Sequence, residues 1–305
     1  GTEDNRVRKL DYSIQLSKLF YERFIKDEDI TLFSPHDVPD LYDAFGTDKF
    51  DELYEKYERA YSIPKKKINV RTLFMDLLKE RAETGRIYIM NIDHSNSHSS
   101  FLDKVSMSNL CQEITLPTTP ISHPDDEKGE IALCILSAIN VGSIKLEEMQ
   151  ELCDIAVRGL DELIEYQRYP VKAAEISTKA RRSLGIGYIG LAHYLAKNKV
   201  KYDDSTAHKL VHELTESFQY NLLKASNKLA KEKGKCEWFD RTKYAEGKLP
   251  IDTYKKDVDE IVKPVYKQNW DKLRKSIETH GLRPVSYTHL RAHETREDLV
   301  WRGVG

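Results

Sequence analysis

Residues 70–92 read VRTLFMDLLKERAETGRIYIMNI, and this stretch decides the fold class. Leu73, Phe74, Leu77, Leu78 and Ala82 recur at three- and four-residue steps, which predicts an amphipathic helix over Val70–Glu83. Gly85 supplies its stop, because glycine enters the left-handed region without steric cost. Ile87-Tyr-Ile-Met-Asn-Ile follows at once as a buried strand. Helix, glycine and apolar strand in succession are the grammar of an α/β fold.

The grammar repeats on both sides. Downstream, Glu130–Ile139 predicts a second buried strand. Helices are predicted over Leu146–Gln167, His208–Lys233 and Lys272–His280, the last closed by Gly281. Upstream, Ile14, Leu16, Leu19, Phe20 and Phe24 predict a helix over Leu10–Ile25. Asp29–Phe33 reads as a short strand, broken by Ser34-Pro-His-Asp-Val-Pro. No internal repeat and no Pro-rich or Ser/Gly-rich linker divides the chain.

Composition excludes several function classes. The 305 residues carry 48 Lys+Arg against 50 Asp+Glu, a formal charge of −2, so nothing in the charge balance favours a nucleic acid polymer or an anionic membrane. The longest mostly apolar stretch, Ile131–Ile144, contains Ser137 and Asn140 and falls short of the ~20 residues a membrane span needs. The opening GTEDNRVRK has no apolar signal core. Four cysteines form no disulfide scaffold, and the expected setting is reducing and cytoplasmic.

Two motifs weigh little. Gly185-Ile-Gly-Tyr-Ile-Gly190 matches GxGxxG, but Lys179-Ala-Arg-Arg-Ser before it makes a poor buried strand. Asp203 and Asp204 follow a Lys-Asn-Lys turn rather than a clear second strand, so close backbone packing is the plainer reading. His94 and His98 sit in a Ser/Asn-rich segment that reads as loop, with no accompanying ligand cluster, so no metal site is expected.

Ser108-Asn-Leu-Cys-Gln-Glu-Ile-Thr-Leu-Pro117 carries more chemistry. In an extended chain side chains alternate, which puts Asn109, Cys111 and Glu113 on one face: an amide, a thiol and a carboxylate. Such a group can hold a hydroxyl, react through sulfur and accept a proton. A buried cysteine with a chance Asn and Glu nearby stands as the other reading of the same residues. Cys134 lies 134 − 111 = 23 residues further on, within the second predicted strand, while Cys153 and Cys236 read as structural.

At these residues the chain resembles the large subunit of class I ribonucleotide reductases. The resemblance rests on Ser-Asn-Leu-Cys-Gln-Glu-Ile and on Gly-Glu-Ile-Ala-Leu-Cys-Ile-Leu-Ser-Ala-Ile-Asn. It rests also on Asp-Ile-Thr-Leu-Phe-Ser-Pro-His-Asp-Val-Pro, Thr-Gly-Arg-Ile-Tyr-Ile, Arg-Arg-Ser-Leu-Gly-Ile-Gly, Leu-Pro-Ile-Asp-Thr-Tyr-Lys-Lys-Asp and Glu-Thr-His-Gly-Leu-Arg. It runs from about Thr2 to Arg283 and is nearest to the bacterial aerobic form.

The resemblance implies part of a ten-stranded α/β barrel over residues 1–283, with a central finger loop at about 106–117. Carried over by position, Cys111 is the thiyl-radical residue, Glu113 the base at the ribose 3′-hydroxyl and Asn109 a holder of substrate hydroxyls. Asn109, Leu110, Cys111 and Glu113 form the substrate-binding set. Cys134 is one of two redox-active thiols, its partner absent from this chain. The implied reaction converts ribonucleoside diphosphates to deoxyribonucleoside diphosphates. The implied partners are a radical-generating small subunit, thioredoxin or glutaredoxin as reductant, and a second large subunit in a homodimer. The chain itself is expected to hold no cofactor, with ATP/dNTP effectors bound outside this segment.

Effector sites, the substrate phosphate loop and the rest of the radical relay are expected to be missing, so the chain alone is expected to be inactive. Residues 284–305, from Pro284 onward, read as a non-family tail in which Val285-Ser-Tyr-Thr-His-Leu-Arg-Ala-His-Glu-Thr looks like translated sequencing adapter; a divergent native terminus is the alternative. A truncated non-catalytic paralogue that binds a partner, and a nucleotide-dependent oxidoreductase using Gly185–Gly190, are the rival functions.

Overall fold

In the computed structural model, which describes residues 10–109, 112 and 114–287, the apolar run at the start of the chain divides at Ser17. Tyr12–Leu16 is a strand, β1, and helix α1 (Lys18–Lys26) begins where the Ser17 hydroxyl accepts the Phe20 N–H at 3.3 Å. The single helix predicted over Leu10–Ile25 is thus corrected. Ile14 and Leu16 satisfy both the two-residue and the helical period, and strand pairing decides between them.

Of the described residues, those up to Ser99 together with Lys104–Leu116 form one compact unit, and Ser100–Asp103 with those from Pro117 onward form a second. The first unit continues with β2 (Asp29–Phe33), α2 (Pro39–Ala44), α3 (Phe50–Arg59), β3 (Lys65–Asn69), α4 (Val70–Thr84), β4 (Ile87–Asn91) and α5 (Ile92–Ser97). Strand β1 lies parallel to β4, with Tyr12 opposite Ile87 and Leu16 opposite Asn91, while β2 and β3 pair antiparallel. Gly85 ends α4 at φ 66°, as the sequence predicts. Helix α5 overturns the loop reading of His94 and His98: their rings lie 5.9 Å apart, one helical turn separating them. Among the described residues no group of three His, Cys, Asp or Glu side chains gathers that would hold a metal ion.

The second unit holds β5 (Ile135–Asn140), α6 (Met149–Tyr166), α7 (Lys172–Arg181), β6 (Ser183–Ile189), α8 (Leu191–Lys197), α9 (Ser205–Lys233), α10 (Pro250–Thr253), α11 (Trp270–His280) and β7 (Val285–Tyr287). Its sheet runs β5-β6-β7, all parallel. Met149, Cys153, Val157 and Ile164 of α6 pack with Leu214, Phe218 and Leu222 of α9 against Leu184, Ile186 and Tyr188 of β6. Each such side chain contributes roughly 1.5–3 kcal/mol on burial. The Glu216 carboxylate accepts the Lys267 and Gln268 N–H groups and Trp270 Nε1–H, which joins α9 to the entry of α11.

Strand β5 starts at Ile135, five residues later than the sequence predicts. Glu130 instead exchanges both backbone hydrogen bonds with Thr119, at 3.0 and 3.1 Å, in an isolated antiparallel bridge. Strand β7 falls inside the segment read from sequence as tail, where a three-residue strand is too short to show a period; residues 288–305 lie outside the described residues. Among the described residues the seven strands form separate sheets of two, two and three. No helix among them is long and apolar enough to cross a membrane.

Candidate active site

The segment singled out for its amide, thiol and carboxylate is a turn rather than a regular strand. The Gln112 N–H donates to the Asn109 carbonyl at 3.1 Å, and Gln112 takes φ 67°, in the left-handed region. The Asn109 Oδ1 accepts the Ile114 N–H at 2.9 Å. Ser108 Oγ lies 2.6 Å from the Ile114 carbonyl oxygen and 3.1 Å from Asn109 Oδ1, so its proton closes the same loop. At Gln112 the extended backbone expected from the sequence is therefore corrected to a turn. Leu110, Cys111 and Glu113 lie outside the described residues.

Sequence reasoning missed the parts played by Ser108 and Gln112. The Ser-Asn pair ahead of the cysteine was the available signal, since both side chains favour local bonds to backbone over regular ladders. The Gln112 Oε1 is buried with no hydrogen-bond partner among the described residues. A buried polar atom without a partner among the described residues, carried by a non-glycine residue in the left-handed region, is strain of the kind that clusters at functional sites.

Cys134 stands half-buried just before β5. The strand beside it is the glycine motif itself. Gly185 and Gly187 lie inside β6, and Gly190, at φ 77°, opens α8. A dinucleotide loop needs its glycines after the strand, at the helix entry, and here two of three belong to the ladder. Leu184, Ile186 and Tyr188 face the helices, so alternation puts Gly185 and Gly187 on the opposite face. Gly185 pairs with Leu136, and a Cβ added to it would overlap Leu136 Cδ2 and lie 3.1 Å from Cys134 Sγ. The other described cysteines are unlike Cys134. Burial pushes the Cys153 and Cys236 thiols up to about 12, which leaves them neutral and inert at physiological pH.

An ion network within the second unit gathers Asp103, Glu130, Arg181 and Arg241. Arg181 donates to Glu130 Oε2 through Nε at 3.0 Å and Nη2 at 2.7 Å, and Nη2 also reaches Asp103 at 3.0 Å. Arg241 donates to the same two carboxylates, at 2.8 Å to Asp103 and 2.9 Å to Glu130. Trp238 stacks beneath both guanidinium groups, with Phe101 on Arg181 as well. Asp103 is the last residue of the second unit before the turn segment departs, and Glu130 follows its return. A second network joins Arg182 to Asp161 at 2.6 Å and to Glu165 at 2.5 Å, with Arg283 on Asp161 just ahead of β7.

The profile of the family described as "Ribonucleotide reductase, barrel domain" matches residues 1–290. A ribonucleoside-diphosphate reductase subunit alpha of Haemophilus influenzae is 55% identical over 305 residues, covering 98% of this chain and 40% of the relative. The corresponding protein of Buchnera aphidicola from Schizaphis graminum and the reductase 1 subunit alpha of Escherichia coli are each 53% identical, with the same coverage. The chain spans about 40% of the length of the curated relatives it matches.

Proposed function

The chain belongs to the ribonucleotide reductase family, and on that premise we propose that it is the catalytic-barrel segment of a class I ribonucleoside-diphosphate reductase large subunit. The observation that carries the reading is the family match running through a braced turn at Asn109–Ile114, with a half-buried thiol at Cys134 just ahead of β5. In this reading the turn is the finger loop of a ten-stranded barrel completed by chain outside this segment. The substrate is a ribonucleoside diphosphate, and a small subunit supplies the radical. The reductant is a dithiol protein of the thioredoxin or glutaredoxin kind, and the working assembly is a large-subunit homodimer in the cytoplasm.

The chemistry balances. The Cys111 sulfur radical takes the ribose 3′-hydrogen, forming S–H and breaking C–H, while Glu113 accepts the 3′-hydroxyl proton. The 2′-hydroxyl leaves as water. Cys134 and a partner thiol on chain outside this segment supply two electrons and two protons and end as a disulfide, which the external dithiol reduces. Return of the hydrogen from Cys111 to C3′ and of the proton from Glu113 to the 3′-oxygen completes the product and restores the radical. Asn109 Oδ1 is engaged by Ile114, so its part in holding substrate falls to Nδ2. A barrel interior shields the radical from water.

The test is a chimera in which residues 1–283 replace the matching segment of the Escherichia coli relative. Deoxyribonucleotide formation with small subunit and dithiol, abolished by Cys111→Ser, is the expected result. Turnover that survives Cys111→Ser contradicts the assignment.

A further inference from the structure

The glycine motif that makes no nucleotide loop has a use of another kind. We propose that Gly185 is a positioning residue for Cys134: its missing Cβ keeps one side of the sulfur clear, so that Sγ can be approached and can move. This rests on the reading of Cys134 as a redox thiol, and gives that thiol a neighbour that sets its accessibility.

Three observations carry it. Gly185 stands directly across the ladder from Leu136, two residues beyond Cys134, on the face of β6 turned away from the helical core. A Cβ there would press on Cys134 Sγ at 3.1 Å while overlapping Leu136. Cys134 is half-buried, whereas Cys153 and Cys236 are enclosed. A glycine within a strand costs stability, because it gives up packing and chain entropy, so its presence there marks a close approach. A sulfur that forms and breaks a disulfide must be reached along the S–S axis and must shift as the bond forms, and crowding slows that exchange.

The experiment is alkylation of the native chain with iodoacetamide, read by mass spectrometry of tryptic peptides. Cys134 falls in Gly129–Lys145 and Cys111 in Val105–Lys128, so the two are counted separately. Gly185→Ala is expected to slow labelling of Cys134 by about threefold or more, while Gly187→Ala, on the same face, leaves it unchanged. General loosening of the fold would act in the opposite direction, speeding labelling of Cys153 and Cys236, so their continued protection separates clearance from instability. Should Gly185→Ala not fold, Gly185→Ala with Leu136→Ala removes the overlap and keeps the contact with sulfur, and the same slowing is expected. An unchanged Cys134 rate in either folded variant overturns the proposal. Continued multiple turnover by a Cys134→Ser chimera would instead overturn the redox reading, leaving the clearance result standing.

Discussion

The Asn109 side-chain oxygen accepts the backbone N–H of Ile114 at 2.9 Å, five residues on, and so ties together the two flanks of the segment that contains Cys111 and Glu113. A side chain committed to its own backbone in this way fixes Asn109 and Ile114 relative to each other without any bound partner. Preorganisation of that kind lets a reacting group sit in one place before substrate arrives.

Asn109→Asp keeps an acceptor for the Ile114 N–H and loses the amide donor, whereas Asn109→Ala loses both. Hydrogen exchange at the Ile114 amide is expected to quicken about fivefold in the alanine variant, equivalent to roughly 1 kcal/mol, and to stay near its original rate in the aspartate variant. In the chimera both variants are expected to lose most deoxyribonucleotide formation, since both lack Nδ2. Equal exchange rates in all three proteins would remove the brace.

Thiol chemistry separates the described cysteines. With Cys153 and Cys236 pushed up to about 12 by burial, neither is expected to react with iodoacetamide at pH 8 in the native chain, and both should react after denaturation. Cys134 is expected to label under native conditions. Peptide mapping before and after urea reads this directly.

Arg181 is buried, and removing it leaves Arg241 to balance both Asp103 and Glu130. Arg181→Met is expected to cost about 3 kcal/mol in urea unfolding, the low end of the penalty for breaking a buried pair, because Arg241 compensates part of the charge. Adding Glu130→Gln should recover part of that loss, and a double-mutant cycle over the four proteins measures the coupling. Strictly additive effects would mean that the pair acts separately.

Acid stability of the first unit is set in part by Glu58. Arg23, bonded to it at 2.6 and 2.8 Å, holds this carboxyl down to about 2 from its ordinary 4.5. A depressed carboxylate stabilises fully above its unfolded value and loses that contribution as pH falls through its folded one. The window is therefore pH 4.5 to about 2. Allowing for solvent screening, the loss is about 1–2 kcal/mol. Unfolding midpoints at pH 7 and pH 3 should differ less in Glu58→Gln than in the unaltered chain.

How far the sequence could be read varies with the physics of each element. Helices α4, α6, α9 and α11 were legible because each carries an apolar stripe over many turns and the caps that end it, Gly85 and Gly281 among them. Strand β1 was not, since Ile14 and Leu16 fit two periods at once and only the partner β4 settles which applies. Strand β6 was hidden for a different reason: its outward face is glycine, so it lacks the apolar signature of a buried strand while being buried almost throughout. Asn109, Cys111 and Glu113 could be singled out by residue type, but the turn at Gln112 could not. Its geometry comes from Ser108, Asn109 and Ile114 bonding locally, which no period reports. The Arg181 network joins Asp103, Glu130 and Arg241 across long stretches of sequence and leaves no local pattern.

The most direct measurement is a single turnover by the pre-reduced chimera with its radical-bearing small subunit and no external dithiol. Product and the oxidation state of Cys134 are followed together, in the unaltered segment and in Cys111→Ser. The account predicts deoxyribonucleotide formed in step with oxidation of Cys134 in the first, and neither in the second. Product without Cys134 oxidation, or Cys134 oxidation coupled to product in Cys111→Ser, would contradict it.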